Sequence, residues 1–329
     1  MTQNSNMKNN ARKIIIGTLG IAISLISLFF VFRNIELGKL LKTVNRIEIL
    51  PMLLSVALYW GGLVTMRTLL VKYILSSKGH IPFYRAYRCI AIGFLANNIL
   101  PFRIGDVARG AAVSNAGKIK FSTVMGGMAL ERMLDFLMAA LVAFGAIITV
   151  PYVPDSIKTT AFWAAAVLST ALLLFIILVR FNHSEKEQKN LLSLVWNLWV
   201  RFSSGFNTLR TFKGVVIILF IGVILWSFGI ASITARLASF GLPVSIPSSL
   251  LVFACLGFGV ALPSAPGYVG VYQIAAVIAL TALGVDETIA AAFGLYSWIV
   301  DISAGNIAGA IGMVLEGMSL KDLKKAGSS

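Results

Sequence analysis

Cysteine and histidine are scarce in this chain, two of each, Cys89, Cys255, His80 and His183. So few, so scattered, exclude a disulfide-dense scaffold, a cluster at metal-ligand spacing and a convincing nucleophile–base pair. The two cysteines read as small packing residues. A Walker sequence and a Gly-rich nucleotide loop are both missing, so ATP is not expected to drive the chain directly, and no cofactor or metal is expected. Acidic residues are few, 13 against 28 lysines and arginines, for a formal charge of +15. In a soluble protein that balance suggests nucleic acid as a partner. Here charged residues make up only 12% of the chain, hydrophobic ones 58%, and the mean hydropathy is +0.87, which excludes a single soluble globular core. The chain reads as an all-α polytopic membrane protein whose basic excess faces anionic lipid headgroups, not nucleic acid.

Apolar runs at 14–32, 49–66, 121–150, 161–179, 215–235 and 287–315 predict six crossings. The first follows Arg12 and Lys13 as a signal peptide would, but it is long enough to span and lacks a small-residue cleavage site, so it is expected to stay as an anchor. Counting Lys and Arg in the connecting stretches puts both termini, residues 67–120 and residues 180–213 in the cytoplasm, and leaves Arg33, Lys39, Lys42, Arg46, Lys158 and Arg236 opposite. Residues 35–49 then fit an amphipathic interfacial helix, with Leu37, Leu40, Leu41 and Val44 on its apolar stripe. Residues 181–213 interleave Trp196, Trp199, Arg201, Phe206 and Arg210; they read either as a helix lying on the inner leaflet or as a plain connector.

Two further apolar stretches are interrupted, each by a Leu-Pro followed by glycine: NNILPFRIGDVARG at 97–110 and ALPSAPGYVGVYQ at 261–273, with Pro101 and Pro263 162 residues apart. Paired interruptions at corresponding places in the two halves point to a substrate site built from half-helices. The halves preceding the prolines are too short to cross comfortably alone, and three crossings lie between the breaks, which would invert one hairpin relative to the other. The expected architecture is six full spans plus two re-entrant hairpins in an inverted repeat, with halves at 47–180 and 214–315 in one membrane domain, 1–329. Eight full spans would leave the same loop charges.

Irregular backbone at membrane depth needs a protein or water-filled cavity around it, so the breaks argue for a cavity. Helices restarting after Pro101 and Pro263, the second capped by Ser264, would offer free amides and a positive dipole end to an anion. Arg103, Asp106 and Arg109 recur every third residue on one helix face, and two arginines suit a phosphate. The alternative is an interfacial helix whose arginines touch bulk headgroups or pair with Asp106. Glu131, Arg132 and Asp135 lie inside a long apolar stretch, either as functional groups or as a self-neutralising cluster. Asp301, at the centre of the last span, could answer an arginine from the first half or accept a proton.

These segments resemble the family named for the transmembrane region of lysylphosphatidylglycerol synthase, also called flippase-like proteins. The resemblance rests on LP-x-R-x-G-[DE]-x-x-R at 100–109, E-R-x-x-D at 131–135 and P-x-x-P-G-x-x-G at 263–270, and covers residues 13–315. It implies movement or presentation of anionic or isoprenoid-linked lipids in a plasma membrane, with Pro101, Arg103, Gly105, Asp106, Arg109, Glu131, Arg132, Asp135, Pro263, Ser264, Pro266, Gly267, Gly270, Gln273 and Asp301 as substrate-binding positions. The soluble aminoacyl-transferring domain of the synthases has no counterpart in this sequence, so lysyl transfer is not expected of it. Tyr268 replaces a glycine usual in the family, and Gln273 stands where an acidic residue is usual. Tyr268 would plug the cavity or stack on a sugar, and Gln273 would hydrogen-bond a headgroup or glycan. The rival function is a membrane enzyme, or a subunit accessory to a glycosyltransferase or other cell-envelope enzyme acting on polyprenyl phosphates, with Asp106 or Glu131 as its acid–base group.

Overall fold

A computed structural model describes residues 37–100, 105–149, 191–261 and 265–319, with a few isolated positions outside them. The expected spans at 14–32 and 161–179 lie outside the described residues. Those described are helical without strands: α1 (Leu37–Val44), α2 (Ile49–Leu75), α3 (Phe83–Ile99), α4 (Gly105–Gly117), α5 (Phe121–Thr149), α6 (Leu191–Ser203), α7 (Phe212–Ser239), α8 (Ile246–Ala261), α9 (Val271–Thr281) and α10 (Glu287–Leu315).

Four of these, α2, α5, α7 and α10, are long and apolar enough to cross a membrane, at 27 to 29 residues each. At 1.5 Å per residue that is roughly 40 Å, more than the hydrocarbon thickness of about 30 Å. Two of their starts carry side-chain caps: Thr211 of α7 accepts from the Gly214 amide at 3.0 Å, and Asp286 of α10 accepts from Thr288 and Ile289. Two ends differ from expectation. Helix α2 continues past Met66 to Leu75, and α7 past Ala235 to Ser239, so Arg67 and Arg236 lie inside spans and not in the loops where charge counting puts them. Each is neutralised by a carboxylate on another helix, which no hydropathy window registers.

The order of span, broken hairpin and span occurs twice: α2, α3–α4, α5, then α7, α8–α9, α10. Within each hairpin the two arms pack on each other. The spans pack crosswise, α5 against α8 of the second set and α10 against α3 of the first, while α2 and α7 lie together. Ser232 of α7 donates to the Ser55 carbonyl of α2 at 2.8 Å. Small residues let the backbones close: a side chain on Gly309 of α10 would collide with Leu95 of α3.

Helix α6 and the 3-10 turn Ser204–Arg210 are less a surface layer than the sequence suggests. Phe206 and Leu209 are buried in the core, and Thr208 donates to the Ile74 carbonyl at 3.0 Å.

Candidate functional site

The end of α3 and the turn ahead of α9 meet. Helix α3 touches the 3-10 turn Pro266–Tyr268, and a β-carbon on Gly267 would stand 3.5 Å from the Asn98 carbonyl oxygen. Gly267 and Gly270 have φ of 72° and 84°, values that suit glycine, so the chain can reverse there before α9 begins. Trp298 fixes the turn by donating to the Gly267 carbonyl at 2.6 Å. Gln273, expected to reach a headgroup, is buried in α9 and accepts from the Gly270 amide at 2.8 Å. It closes the helix start and is not among the residues that line the cavity.

Beside the meeting point lies a cavity of about 350 Å³, walled by α2, α3, α4, α5, α7, α8 and α10 and by Tyr268 and Tyr272. In α2 the segment Leu58–Val64 is a π-helix, a form frequent at functional sites. It carries Tyr59, Trp60 and Leu63 to the cavity wall with Arg67. Tyr87 donates to the Trp60 carbonyl that the widened turn leaves available, at 2.8 Å.

The cavity holds two ion networks. In the first, Arg67 grips Asp135 with both Nη atoms, at 2.9 and 3.1 Å, and also donates to Glu131. Arg109 donates to the same Glu131 oxygen at 3.0 Å, and Arg132 reaches Asp135 at 3.3 Å and Asp106 at 3.8 Å. Three arginines thus meet three carboxylates, and the E-R-x-x-D step is balanced by Arg67 and Arg109 from outside it, not by Arg132 alone. Glu131 is fully buried with one oxygen committed to arginines, unlike an acid–base group exchanging protons with a substrate.

In the second network Arg236 and Asp301 form a two-pronged pair, both contacts 2.8 Å, and Tyr272 donates to Asp301 at 2.9 Å. The expectation that Asp301 answers an arginine of the first half is therefore corrected, since its partner comes from α7. Such a fork-to-carboxylate pair has the geometry that desolvated charge requires. The second network repeats the first in outline, because 169 residues separate Arg67 from Arg236 and 166 separate Asp135 from Asp301.

One group stands out for what it lacks. Arg109 is 4% exposed and borders the cavity, yet among the described residues its Nε and Nη2 have no hydrogen-bond partner, nor does the second oxygen of Glu131. Leaving buried donors unmet costs about 1–3 kcal/mol each. Nε and Nη2 form one edge of the guanidinium fork, the edge that takes two oxygens of a phosphate or carboxylate side by side. Asp106, Arg132, Asp135 and Asp301 also line the cavity, and Gly105 packs directly on the Gly93 carbonyl and Asn97 of α3. Pro101, Arg103, Pro263 and Ser264 lie outside the described residues.

A family model described as the lysylphosphatidylglycerol synthase TM region matches residues 17–309. No curated protein and no solved structure matches the chain.

Proposed function

The chain belongs to the lysylphosphatidylglycerol synthase TM-region family, a membrane protein family with a lipid-related role, and we propose that it is a lipid translocase. It would move an anionic phospholipid or isoprenoid-linked glycolipid between the leaflets of the plasma membrane. The observation that carries this reading is the unpartnered Nε/Nη2 edge of Arg109, buried beside a cavity where two broken hairpins converge. A lipid phosphate is the anion such an edge takes, and headgroup hydroxyls have partly exposed carboxylates, Asp106 and Asp301, to donate to. The first network is charge-balanced without substrate, so Arg103 in the same LP-x-R segment supplies the cation that an added phosphate calls for.

The repeated order of elements and the crosswise packing support an inverted repeat with two re-entrant hairpins, and the basic loops support cytoplasmic termini. Either break could then admit a headgroup from its own side. The test is protein reconstituted in liposomes with a fluorescent phosphatidylglycerol. Arg109→Lys keeps a cation for Glu131 but loses the two-pronged edge, and leaflet exchange should fall about tenfold or more, as expected for a charged hydrogen bond of about 1.5–3 kcal/mol. Exchange equal to the native rate in Arg109→Lys, Arg109→Ala and Arg103→Ala, at matched reconstitution, removes the phosphate grip.

A further inference from the structure

The wall of the cavity is not equally closed all round. Among its described lining residues only three are exposed, Phe136 of α5 and Gly257 and Phe258 of α8. Phe136 is 62% and Phe258 52% exposed, and a β-carbon on Gly257 would meet nothing within 4 Å. All three sit where α5 and α8 run side by side. Toward one end these helices touch, Leu250 lying 3.7 Å from a β-carbon placed on Gly145. Six residues back along α5 and seven forward along α8 come Ala139 and Gly257, both on the cavity wall, and a β-carbon on Gly257 would meet no atom of α5 within 4 Å.

The crosswise packing supplies an internal comparison, because α10 meets α3 as α5 meets α8. That seam is shut throughout its length. A β-carbon placed on Gly305 would stand 3.2 Å from Asn98, one on Gly309 would collide with Leu95 and the Ala91 carbonyl, and one on Gly312 would stand 3.1 Å from the Arg88 carbonyl. Asn98 donates to Asn306 at 3.0 Å, and Glu316 accepts from Arg85 and Arg88 at the end. Gly305 is 166 residues beyond Ala139, the same offset that relates Asp301 to Asp135. Equivalent points on two like seams are thus sealed in one and open in the other.

We infer that the α5–α8 seam is a lateral portal through which the hydrocarbon chain of a lipid passes while its headgroup lies in the cavity. Its occupant follows from its chemistry. The rim is phenylalanine, and the wall behind it is Leu256, Phe253, Trp226 and Ile233, apolar apart from the indole N–H. The ion networks line the same cavity, so an amphiphile with a polar end inside and an apolar end outside matches this lining. A water-soluble solute would gain nothing from an exit facing lipid. The inference names the lipid's route and rests on the translocase reading only for the purpose of that route.

The test reads binding, not transport. Phosphatidylglycerol carrying a diazirine near the end of one acyl chain is irradiated with the reconstituted protein, and the adducts are mapped by mass spectrometry. Leu256 and Ile233 are buried from outside, so an adduct there reports a chain within the portal, whereas Phe220 and Ile278 report bulk lipid. Gly257→Phe and, independently, Ala139→Phe add bulk to the two walls at residues that are not members of either ion network. The expected result is adducts at Leu256 and Ile233 that drop at least tenfold in both variants while those at Phe220 and Ile278 persist. Adducts at the buried positions that survive both variants, or that never form in the native chain, overturn the portal. Adducts that respond to plugging in a protein without leaflet exchange keep the portal and sink the translocase.

Discussion

Replacing Asp301 by leucine leaves the Arg236 guanidinium, 1% exposed, without its carboxylate, whereas replacing Arg236 by leucine leaves a carboxylate that is 30% exposed and still bonded to Tyr272. The two halves of one ion pair should therefore differ in cost. Two unit charges about 4 Å apart attract by about 4 kcal/mol at an effective dielectric of 20. Breaking a buried pair by removing one partner costs about 3–5 kcal/mol. Solvent at Asp301 screens part of this, so about 2–3 kcal/mol is expected for Asp301→Leu and about 1–2 kcal/mol for Arg236→Leu. The double variant, with no stranded charge, should be more stable than the sum of the single losses by at least about 1 kcal/mol. Unfolding in mixed micelles of rising SDS content, followed by tryptophan fluorescence, measures all four corners of the cycle. Additive losses, or a larger loss for Arg236→Leu, would refute the argument that the burial of Arg236 governs the pair.

Other substitutions probe separate features. Gly309→Leu pushes a side chain into Leu95 and the Ala91 carbonyl and should destabilise by about 1–3 kcal/mol, while Gly257→Ala, with open space around it, should be within about 0.5 kcal/mol of native in the same assay. Gly270→Ala forces a β-carbon onto φ 84° at the start of α9; a loss of about 1–3 kcal/mol is expected, and a neutral result by thermal unfolding in detergent would contradict the turn as described. Glu316→Gln weakens contacts to Arg85 and Arg88, which are part-exposed, so the melting temperature should move little and the small difference should vanish in high salt.

Much of the fold was legible because lipid imposes a coarse rule, and the apolar runs that became α5, α7 and α10 coincide with long helices to within a few residues. The two interruptions were legible too, since Pro and Gly break helices wherever they sit. Arg67 and Arg236 were not, because a charge ends a hydropathy run whether it lies in a loop or in a salt bridge. Their partners are 64 to 68 residues away in one case and 65 in the other, a relation only the folded chain makes. Glu131, Asp135 and Asp301 carried half of that signal, for a carboxylate inside a span demands a cation somewhere. Gln273 misled for the opposite reason: a polar side chain in a cavity-forming segment served its own helix start.

The π-helical stretch Leu58–Val64 also fixes phase. Each α-helical residue advances the chain by about 100° and a π-turn takes in one residue more, so winding these same residues as α-helix would swing everything after them by roughly that angle. Arg67 would then leave Asp135 and Glu131 and face another neighbour, with Thr68, Val71 and Ile74 displaced alongside it. A change of length that a connecting loop absorbs would here act as a rotation of half a span unless the wide turn changed with it. Related chains should accordingly keep the wide turn, or lose it together with one residue between the Tyr59–Trp60 pair and the arginine.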